Sequence, residues 1–336
     1  MRADDTRGWQ DGPMSEASYR PRRAAGLADP GAVPPIQIRG LSKRFGSVLA
    51  VDDVTFTVPP GRVTAFLGPN GAGKTTTLRI LAGLASPTAG SATFGDRTYA
   101  ALDRPQQTVG AALDAGFHPG RSGRDHLRVL SATAGADDAR VDELLALVEL
   151  TAAGRRKVGG YSLGMRQRLA LASALVGDPD YLILDEPANG LDPEGIRWLR
   201  GFLRSAAAQG KVVLVSSHML SEVQETADDV AVISHGRLLR HAPLDQIEVA
   251  EPTLRLRTAG PARTAEMLAA HGYTVHTDTD SDGPLVRVHT VDAARVGQLL
   301  LDNKIAVVEL TRERFNLEES FFRVIEQQTA DGRSAS

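Results

Sequence analysis

Gly68-Pro69-Asn70-Gly71-Ala72-Gly73-Lys74-Thr75-Thr76 decides how this chain is read. It follows a short apolar run, 63–67, and precedes a helical-looking segment, 76–84, so the order is strand, glycine-rich loop, helix. Two glycines separated by four residues and followed by Lys and Thr form the P-loop pattern. Gly68, Gly71 and Gly73 tolerate positive φ, which lets the loop curl until its N–H groups converge on phosphate oxygens. The helix start adds unpaired N–H groups and the positive end of a dipole, so the hollow suits a polyanion. Lys74 is placed to reach β- and γ-phosphates, and the Thr75 hydroxyl to ligate Mg²⁺. The alternative, a glycine-rich turn with a chance Lys-Thr, does not account for the strand before and the helix after.

A second constellation lies downstream. Residues 181–184 are a short apolar run ending in Asp185-Glu186-Pro187, as in a central parallel strand. Two carboxylates at the carboxyl end of a buried strand are costly unless an ion or a reaction needs them, and that edge is where parallel sheets bind ligands. Asp185 suits a metal shell; Glu186 is placed to orient or deprotonate a water. Another apolar run, 212–215, ends in Ser216-Ser217-His218, and a His at a neighbouring strand end is either structural or within reach of a phosphate. Phe45, in Lys43-Arg44-Phe45-Gly46, reads as core or as a platform for a flat base. In Tyr161-Ser162-Leu163-Gly164-Met165, Ser162 stands where a helix over 165–176 begins, either an ordinary cap or a second anion-binding helix start.

Composition narrows the function classes. At 336 residues the chain has room for a full core and more than one domain. Hydrophobic residues make up 42% and charged residues 24%, the values of an ordinary globular protein. A net charge of −3 supplies no global positive field for nucleic acid, and no local basic patch stands out. With no Cys, disulfides and thiolate metal sites are excluded, which fits a reducing compartment. No apolar run approaches the roughly 20 residues of a membrane-spanning helix, so any membrane part is expected in another chain.

Read in order, residues 1–34 are rich in Arg, Ala, Gly, Pro and Asp without period and are expected to be a disordered extension; Arg22-Arg23 lacks the apolar stretch of an export signal. A nucleotide-binding unit is expected over 35–245, with strands at 36–38, 54–58, 91–94, 108–113 and 230–233. Helices at 126–133, capped by Ser122, and at 137–150 mark a helical subdomain of about 115–175. Residues 250–328 read strand 253–258, helix 262–271, strand 273–279, an Asp282-Gly283 turn, strand 285–289, helix 291–303, strand 305–310 and helix 316–327. The order βαββαβ plus a helix predicts a small ferredoxin-like α+β unit, and 329–336 a disordered tail. The fold class is therefore α/β: a P-loop NTPase domain with a helical subdomain, followed by a small α+β domain.

Over about 36–240 these pieces resemble the ATP-binding subunit of an ABC (ATP-binding cassette) transporter. Gly68 to Thr75 is similar to Walker A, and Asp185 with Glu186 to Walker B and its catalytic glutamate. Ser162-Leu163-Gly164-Met165 resembles the signature, Asn189-Gly190-Leu191-Asp192 the D-loop, His218 the switch histidine, and Phe45 the aromatic that stacks on adenine. The usual signature Leu-Ser-Gly-Gly-Gln is altered, keeping the Ser and second Gly that face phosphate. At the Q-loop, Asp114 stands for the usual glutamine that contacts Mg²⁺ and water, adding negative charge that would slow or retune hydrolysis unless Mg²⁺ or an Arg compensates. These changes, with the run from Gly116 to His126, resemble the ABC-2 branch of bacitracin and daunorubicin resistance ATPases.

The resemblance implies ATP and Mg²⁺ as cofactors and a head-to-tail homodimer, or paired ABC subunit, with ATP between one P-loop and the other subunit's Ser162 and Gly164. Lys74, Thr75, Asp185 and Asp114 would meet phosphate or Mg²⁺, Glu186 the attacking water, His218 the γ-phosphate, and Asp192 the cofactor site. It further implies a peripheral place on the cytoplasmic face of the membrane, an ABC-2 type permease as partner and no nucleic acid. An importer ATPase is the alternative within transport, although its C-terminal domain would more resemble an OB-like barrel. A soluble ABC ATPase working on DNA or ribosomes would carry long insertions or two cassettes, and a non-hydrolysing regulator is left open by Asp114.

Overall fold

The computed structural model describes residues 33–113, 116–246, 253–280, 282–290 and 292–313. The expected extension up to residue 32, Asp114, the helix at 316–327 and the tail at 329–336 lie outside the described residues. Strands β1 (Ile36–Phe45) and β2 (Val48–Val58) form a hairpin, then β3 (Val63–Leu67) leads through the glycine loop to α1 (Lys74–Leu81). There follow β4 (Ala89–Phe94), α2 (Pro105–Thr108), β5 (Val109–Ala112), α3 (Gly123–Ala134), α4 (Asp138–Leu147) and α5 (Leu163–Ala174). β6 (Tyr181–Asp185), α6 (Pro193–Ala208), β7 (Val212–Ser217), α7 (Leu220–Thr226), β8 (Asp229–Ser234) and β9 (Arg237–Pro243) close this part.

Six strands form one sheet in the order β5-β6-β7-β3-β8-β9, parallel except for β9. Its central strands are continuous apolar runs because both faces are covered. On one face Phe66, Ile183, Leu214 and Ile233 pack with Leu78 and Leu81 of α1 and with Phe56 from the three-stranded sheet β2-β1-β4. On the other, Leu182, Leu184, Val213 and Val215 pack with α5, α6 and the pair α3–α4. The alternation of 181 and 183 against 182 and 184 is the period of two that sends neighbouring side chains to opposite faces. Registers Leu67↔Ser217 and Asp185↔Ser216 bring the carboxyl ends of β3, β7 and β6 to a common edge.

Two helical segments start at the caps expected from the sequence, Ser122 accepting the Asp125 N–H before α3 and Ser162 capping α5 through Met165, while Asp137, expected inside its helix, instead caps α4 by accepting the Arg140 N–H. The Arg140 guanidinium, 5% exposed, donates to the Leu175 carbonyl at 2.8 Å and ties α4 to the end of α5. Helix α6, with Phe202, Leu203, Ala206 and Ala207 buried on one side, is a helix the reading above does not predict, and so is α7. Edge strand β9 is also new; its residues are half-buried or, at Arg237 and His241, exposed, so it lacks the apolar run by which β3, β6 and β7 announce themselves.

Beyond the break, β10 (Thr253–Thr258), α8 (Pro261–Ala270), β11 (Val275–Asp280), β12 (Gly283–His289), α9 (Ala293–Asp302) and β13 (Val307–Glu313) form a second unit. Its sheet runs β11-β12-β10-β13, every pair antiparallel, the interleaved arrangement expected of βαββαβ. β11 and β13 each start two residues later than expected. Tyr273 N–H still closes α8 on Leu268, and Ile305 N–H closes α9 on Leu300, across the left-handed residues Gly272 and Lys304. The helix ends thus take the backbone groups that a longer strand would need.

On β9, His241 lies against Phe56 with ring centroids 5.8 Å apart. Burial holds its imidazole below the ordinary value, partly opposed by the Asp229 carboxylate. With a folded pKa below the unfolded one, the unfolded chain takes up the proton first on acidification, so stability is lost as pH falls through the usual histidine range. Thermal unfolding is expected at a lower temperature at pH 5 than at pH 7, with a shallower decline in His241→Gln. Equal slopes in both proteins would assign the effect elsewhere, His126, also lowered by burial, being the next group to replace.

Candidate nucleotide site

The loop after β3 is shaped by its three glycines, for two different reasons. Gly71 and Gly73 have φ of 81° and 106°, as expected. Gly68 does not take positive φ, a correction to the sequence expectation. Its side chain is excluded by space: a Cβ would lie 2.3 Å from the Ile233 carbonyl oxygen of the adjacent strand β8. At Gly71, by contrast, a Cβ would meet nothing within 4 Å, so the loop is open on that side. Ala72 N–H closes the loop on the Pro69 carbonyl at 3.2 Å.

Helix α1 begins at Lys74, two residues earlier than expected, with Gly73 as a cap that offers no side chain. Its first internal hydrogen bond runs from Thr77 N–H to the Gly73 carbonyl at 3.0 Å. The N–H groups of Lys74, Thr75 and Thr76 precede that bond and form the open end of the helix. The Lys74 ammonium, 5% exposed, is held inside the loop by the carbonyls of Gly68 at 2.6 Å and Pro69 at 3.2 Å.

The acidic pair meets this loop. Thr75 Oγ1 donates to Asp185 Oδ2 at 2.6 Å, and Glu186 Oε1 lies 3.2 Å from Lys74 Nζ. That last contact is an ion pair by distance without hydrogen-bond geometry, so Glu186 Oε1 is buried with an acceptor position unfilled. Glu186 Oε2 sits 2.7 Å from His218 Nδ1. The residue itself is left-handed, φ 49°, a conformation costing on the order of 1 kcal/mol for a side chain of this kind. It is held there by Ser216 Oγ on its N–H at 2.9 Å and by the Asn189 N–H, at 3.2 Å, on its carbonyl.

Two participants are absent from the sequence reading. Ser216, fully buried, also donates its hydroxyl to Asp185 Oδ1, so a single side chain orients both carboxylate residues. Gln167 Nε2 approaches the Glu186 carbonyl at 3.4 Å. The signal for Ser216 is the Ser-Ser-His ending of β7; its partner becomes visible only once β6 and β7 are paired.

Phe45 is 53% exposed, which removes the core reading and leaves its ring as an accessible platform, with Lys43 Nζ 4.9 Å from the centroid. The hairpin that carries it touches the loop: a Cβ on Gly73 would lie 2.5 Å from the Ala50 carbonyl. Ser162, Gly164 and Asp192 gather elsewhere. Among the described residues no hydrogen bond or ion pair links 162–164 to 68–76, and Ser162 spends its hydroxyl on Met165 N–H at 3.2 Å. Gly164 packs on the 189–192 loop, where a Cβ would be 2.7 Å from the Gly190 carbonyl, and Asp192 caps α6 through Gly195 at 2.9 Å. Asp114 falls outside the described residues.

The residues fit a nucleotide and a hard cation. The open glycine hollow, the helix start and the Lys74 ammonium suit phosphates. Thr75 Oγ1 and Asp185 Oδ2 are two oxygen donors side by side, the type Mg²⁺ takes while drawing the rest of its shell from water and phosphate. Among the described residues no group of three or more carboxylates and histidines is arranged to hold a metal ion.

Comparison with known proteins decides the family. Residues 51–189 match the family model described as ABC transporter, and 252–318 match one described as Domain of unknown function (DUF8746). The bacitracin transport ATP-binding protein of Bacillus licheniformis is 34% identical over 297 residues, 86% of this chain and 97% of that protein. The chain belongs to the ABC transporter ATP-binding family. As a member it binds and hydrolyses ATP as a transporter subunit. The Nod factor export ATP-binding protein I of Burkholderia lata is 35% identical over 308 residues, 89% of this ABC subunit and 99% of the relative. Among solved structures, an ATP-binding subunit of an ABC transporter superposes with a TM-score of 0.58 at 27% identity, covering 63% of this chain and 91% of that one. A dimeric bacterial ABC transporter cassette, at 23% identity and a TM-score of 0.56, has the same fold; it covers 62% of this chain and 98% of that one.

Gly68→Ala and Gly71→Ala separate the two reasons for glycine in the ABC P-loop. Steric overlap with Ile233 should cost about 3 kcal/mol of unfolding free energy in the first, and positive φ about 1 kcal/mol in the second. Denaturant unfolding checks the order; a reversed order would show that conformation, not space, governs residue 68.

Proposed function

We propose that this chain energises export of a small molecule, a drug, antibiotic or lipid-like compound, through a separate membrane permease of the ABC-2 type. Support comes from the relatives, which by name serve bacitracin transport and Nod factor export. Among the described residues no helix is long and apolar enough to cross a membrane. The subunit would then sit peripherally on the cytoplasmic face. Residues 35–245 are the nucleotide-binding domain in this reading, 115–175 the subdomain that moves the permease, and 250–328 an accessory domain.

The single observation that carries the chemistry is the convergence of Lys74, Asp185, Glu186 and His218 at the glycine loop. Lys74 and the N–H groups of 70–76 hold the β- and γ-phosphates, and Phe45 supports the base. Mg²⁺, held by Thr75 and Asp185 and with Asp114 in the Q-loop position, would neutralise charge that develops on the phosphates. Glu186 orients the attacking water and accepts its proton, while His218 contacts the γ-phosphate and keeps Glu186 aligned. Ser162, Gly164 and Asp192, whose described contacts are with Met165, Gly190 and Gly195, complete the site of a second subunit in a head-to-tail homodimer. The fold shared with a dimeric cassette supports that arrangement.

Glu186→Gln is expected to bind ATP, to lose hydrolysis by at least about a hundredfold, in the range seen when an enzyme loses a general base, and to accumulate as an ATP-bound dimer. Phosphate release and size-exclusion chromatography read the outcome; turnover at the normal rate would remove Glu186 from this role. Affinity purification of the tagged chain from its native membrane should bring down a polytopic protein, whereas recovery of ribosomes or DNA would favour a non-transport ATPase.

A further inference from the structure

Glu222, on α7, takes no part in the chemistry above, yet it reaches the loop that carries it. Its Oε2 accepts the Ser217 hydroxyl at 3.0 Å. Ser217 is 3% exposed and faces three elements at once. Its carbonyl accepts the Gly68 N–H at 3.2 Å, at the entry of the P-loop, and its Oγ accepts the Met219 N–H at 2.9 Å. The hydroxyl has one proton, and the Met219 carbonyl, 3.2 Å away, competes for it. A carboxylate is the stronger acceptor, so Glu222 draws the proton toward α7. His218 lies between these two gripped residues, and its Nδ1 is the group that meets Glu186.

The surroundings of Glu222 do not favour a carboxylate. Ile196, Leu199, Val215 and Val223 line the same cleft. Burial and the negative charge of Glu186 push its pKa up, opposed by the Ser217 hydroxyl, His218 and Arg200. Arg200 is itself paired with Glu225. An acid in such a place costs stability unless its contact is used.

We propose that Glu222 is a positioning residue for ATP hydrolysis: through the Ser217 hydroxyl it holds the 217–219 loop so that His218 stays on Glu186. The proposal rests on the assignment of Glu186 and His218 above. Acting on another residue's geometry, it should affect turnover and leave nucleotide affinity alone.

Steady-state ATPase and ATP-binding measurements on the full chain test this. Glu222→Ala should lower kcat about tenfold, the scale of a misplaced general base or its partner, with Kd for ATP unchanged within about a factor of two. Glu222→Gln, whose amide oxygen still accepts from Ser217, should restore most of kcat. Ser217→Ala should lower kcat at least as far as Glu222→Ala, since it also frees the Met219 N–H, and the double variant should be no worse than Ser217→Ala, because the Ser217–Glu222 contact is already lost there. In protein labelled at histidine with ¹⁵N, the His218 ring signals should move in Glu222→Ala and return in Glu222→Gln. Wild-type kcat in Glu222→Ala with only a lower Tm, or losses that multiply in the double variant, would overturn the proposal. If Glu222→Ala fails to fold, Ser217→Ala carries the same expectation. Normal kcat in Glu186→Gln would defeat the underlying assignment, whereas a dead Glu186→Gln beside an active Glu222→Ala would defeat only this inference.

Discussion

Asp185 accepts from Thr75 with one carboxylate oxygen and from Ser216 with the other, and the site depends on that bridge. It joins the start of α1 to the carboxyl ends of β6 and β7, three elements far apart in sequence. A half-buried carboxylate with both oxygens hydrogen-bonded is tolerable where an unsatisfied one is not. The parallel register of β3, β7 and β6 sets the geometry, because a slip of one residue would turn Asp185 to the opposite face of the sheet.

Charge compensation then explains the neighbouring groups. The Lys74 ammonium, nearly excluded from water, sits between two loop carbonyls and the Glu186 carboxylate, a set that phosphate can enter without leaving a buried cation unpaired. Glu186 is kept in a left-handed conformation by hydrogen bonds on both its amide and its carbonyl, so local strain is offset by interactions of the surrounding loops. The Ser216-Ser217-His218 stretch is the common support. Ser216 serves the acidic pair, the Ser217 carbonyl holds the P-loop entry, and His218 meets Glu186. Function and packing are inseparable at these residues.

In the second unit, Leu254, Leu256, Val286 and Val288 of the sheet pack with Leu268, Val296 and Leu300 of the two helices around a core of their own. Its family match carries no activity, and its residues supply nothing to the nucleotide site among the described contacts. The two units differ in how they are stabilised. The first is a parallel sheet covered on both faces, whereas the second keeps one antiparallel sheet under two helices, which is why Arg255, Arg257 and Glu309 can pair with one another on its strands.

The sequence alone determined the elements whose signal is local. Gly68 to Thr75, the apolar runs of β3, β6 and β7, the cap Ser122, and the βαββαβ order were all legible, because periodicity, capping and turn chemistry act over a few residues. It could not supply what depends on contact between distant strands. That Gly68 is glycine to clear Ile233, that Ser216 orients both carboxylates, that Phe45 is exposed and that Gly164 packs on Gly190 follow only from tertiary structure. Strand β9 escapes the sequence for a related reason, its partial burial being decided by the sheet it extends, whereas helix α6 carries a local signal that the reading above does not use, the Asp192 cap followed by Pro193 and apolar residues 199, 202, 203 and 206 on one side. Residue type shows which chemistry is available, but strand register decides which groups share it, since a carboxylate gains a partner only where another element delivers one.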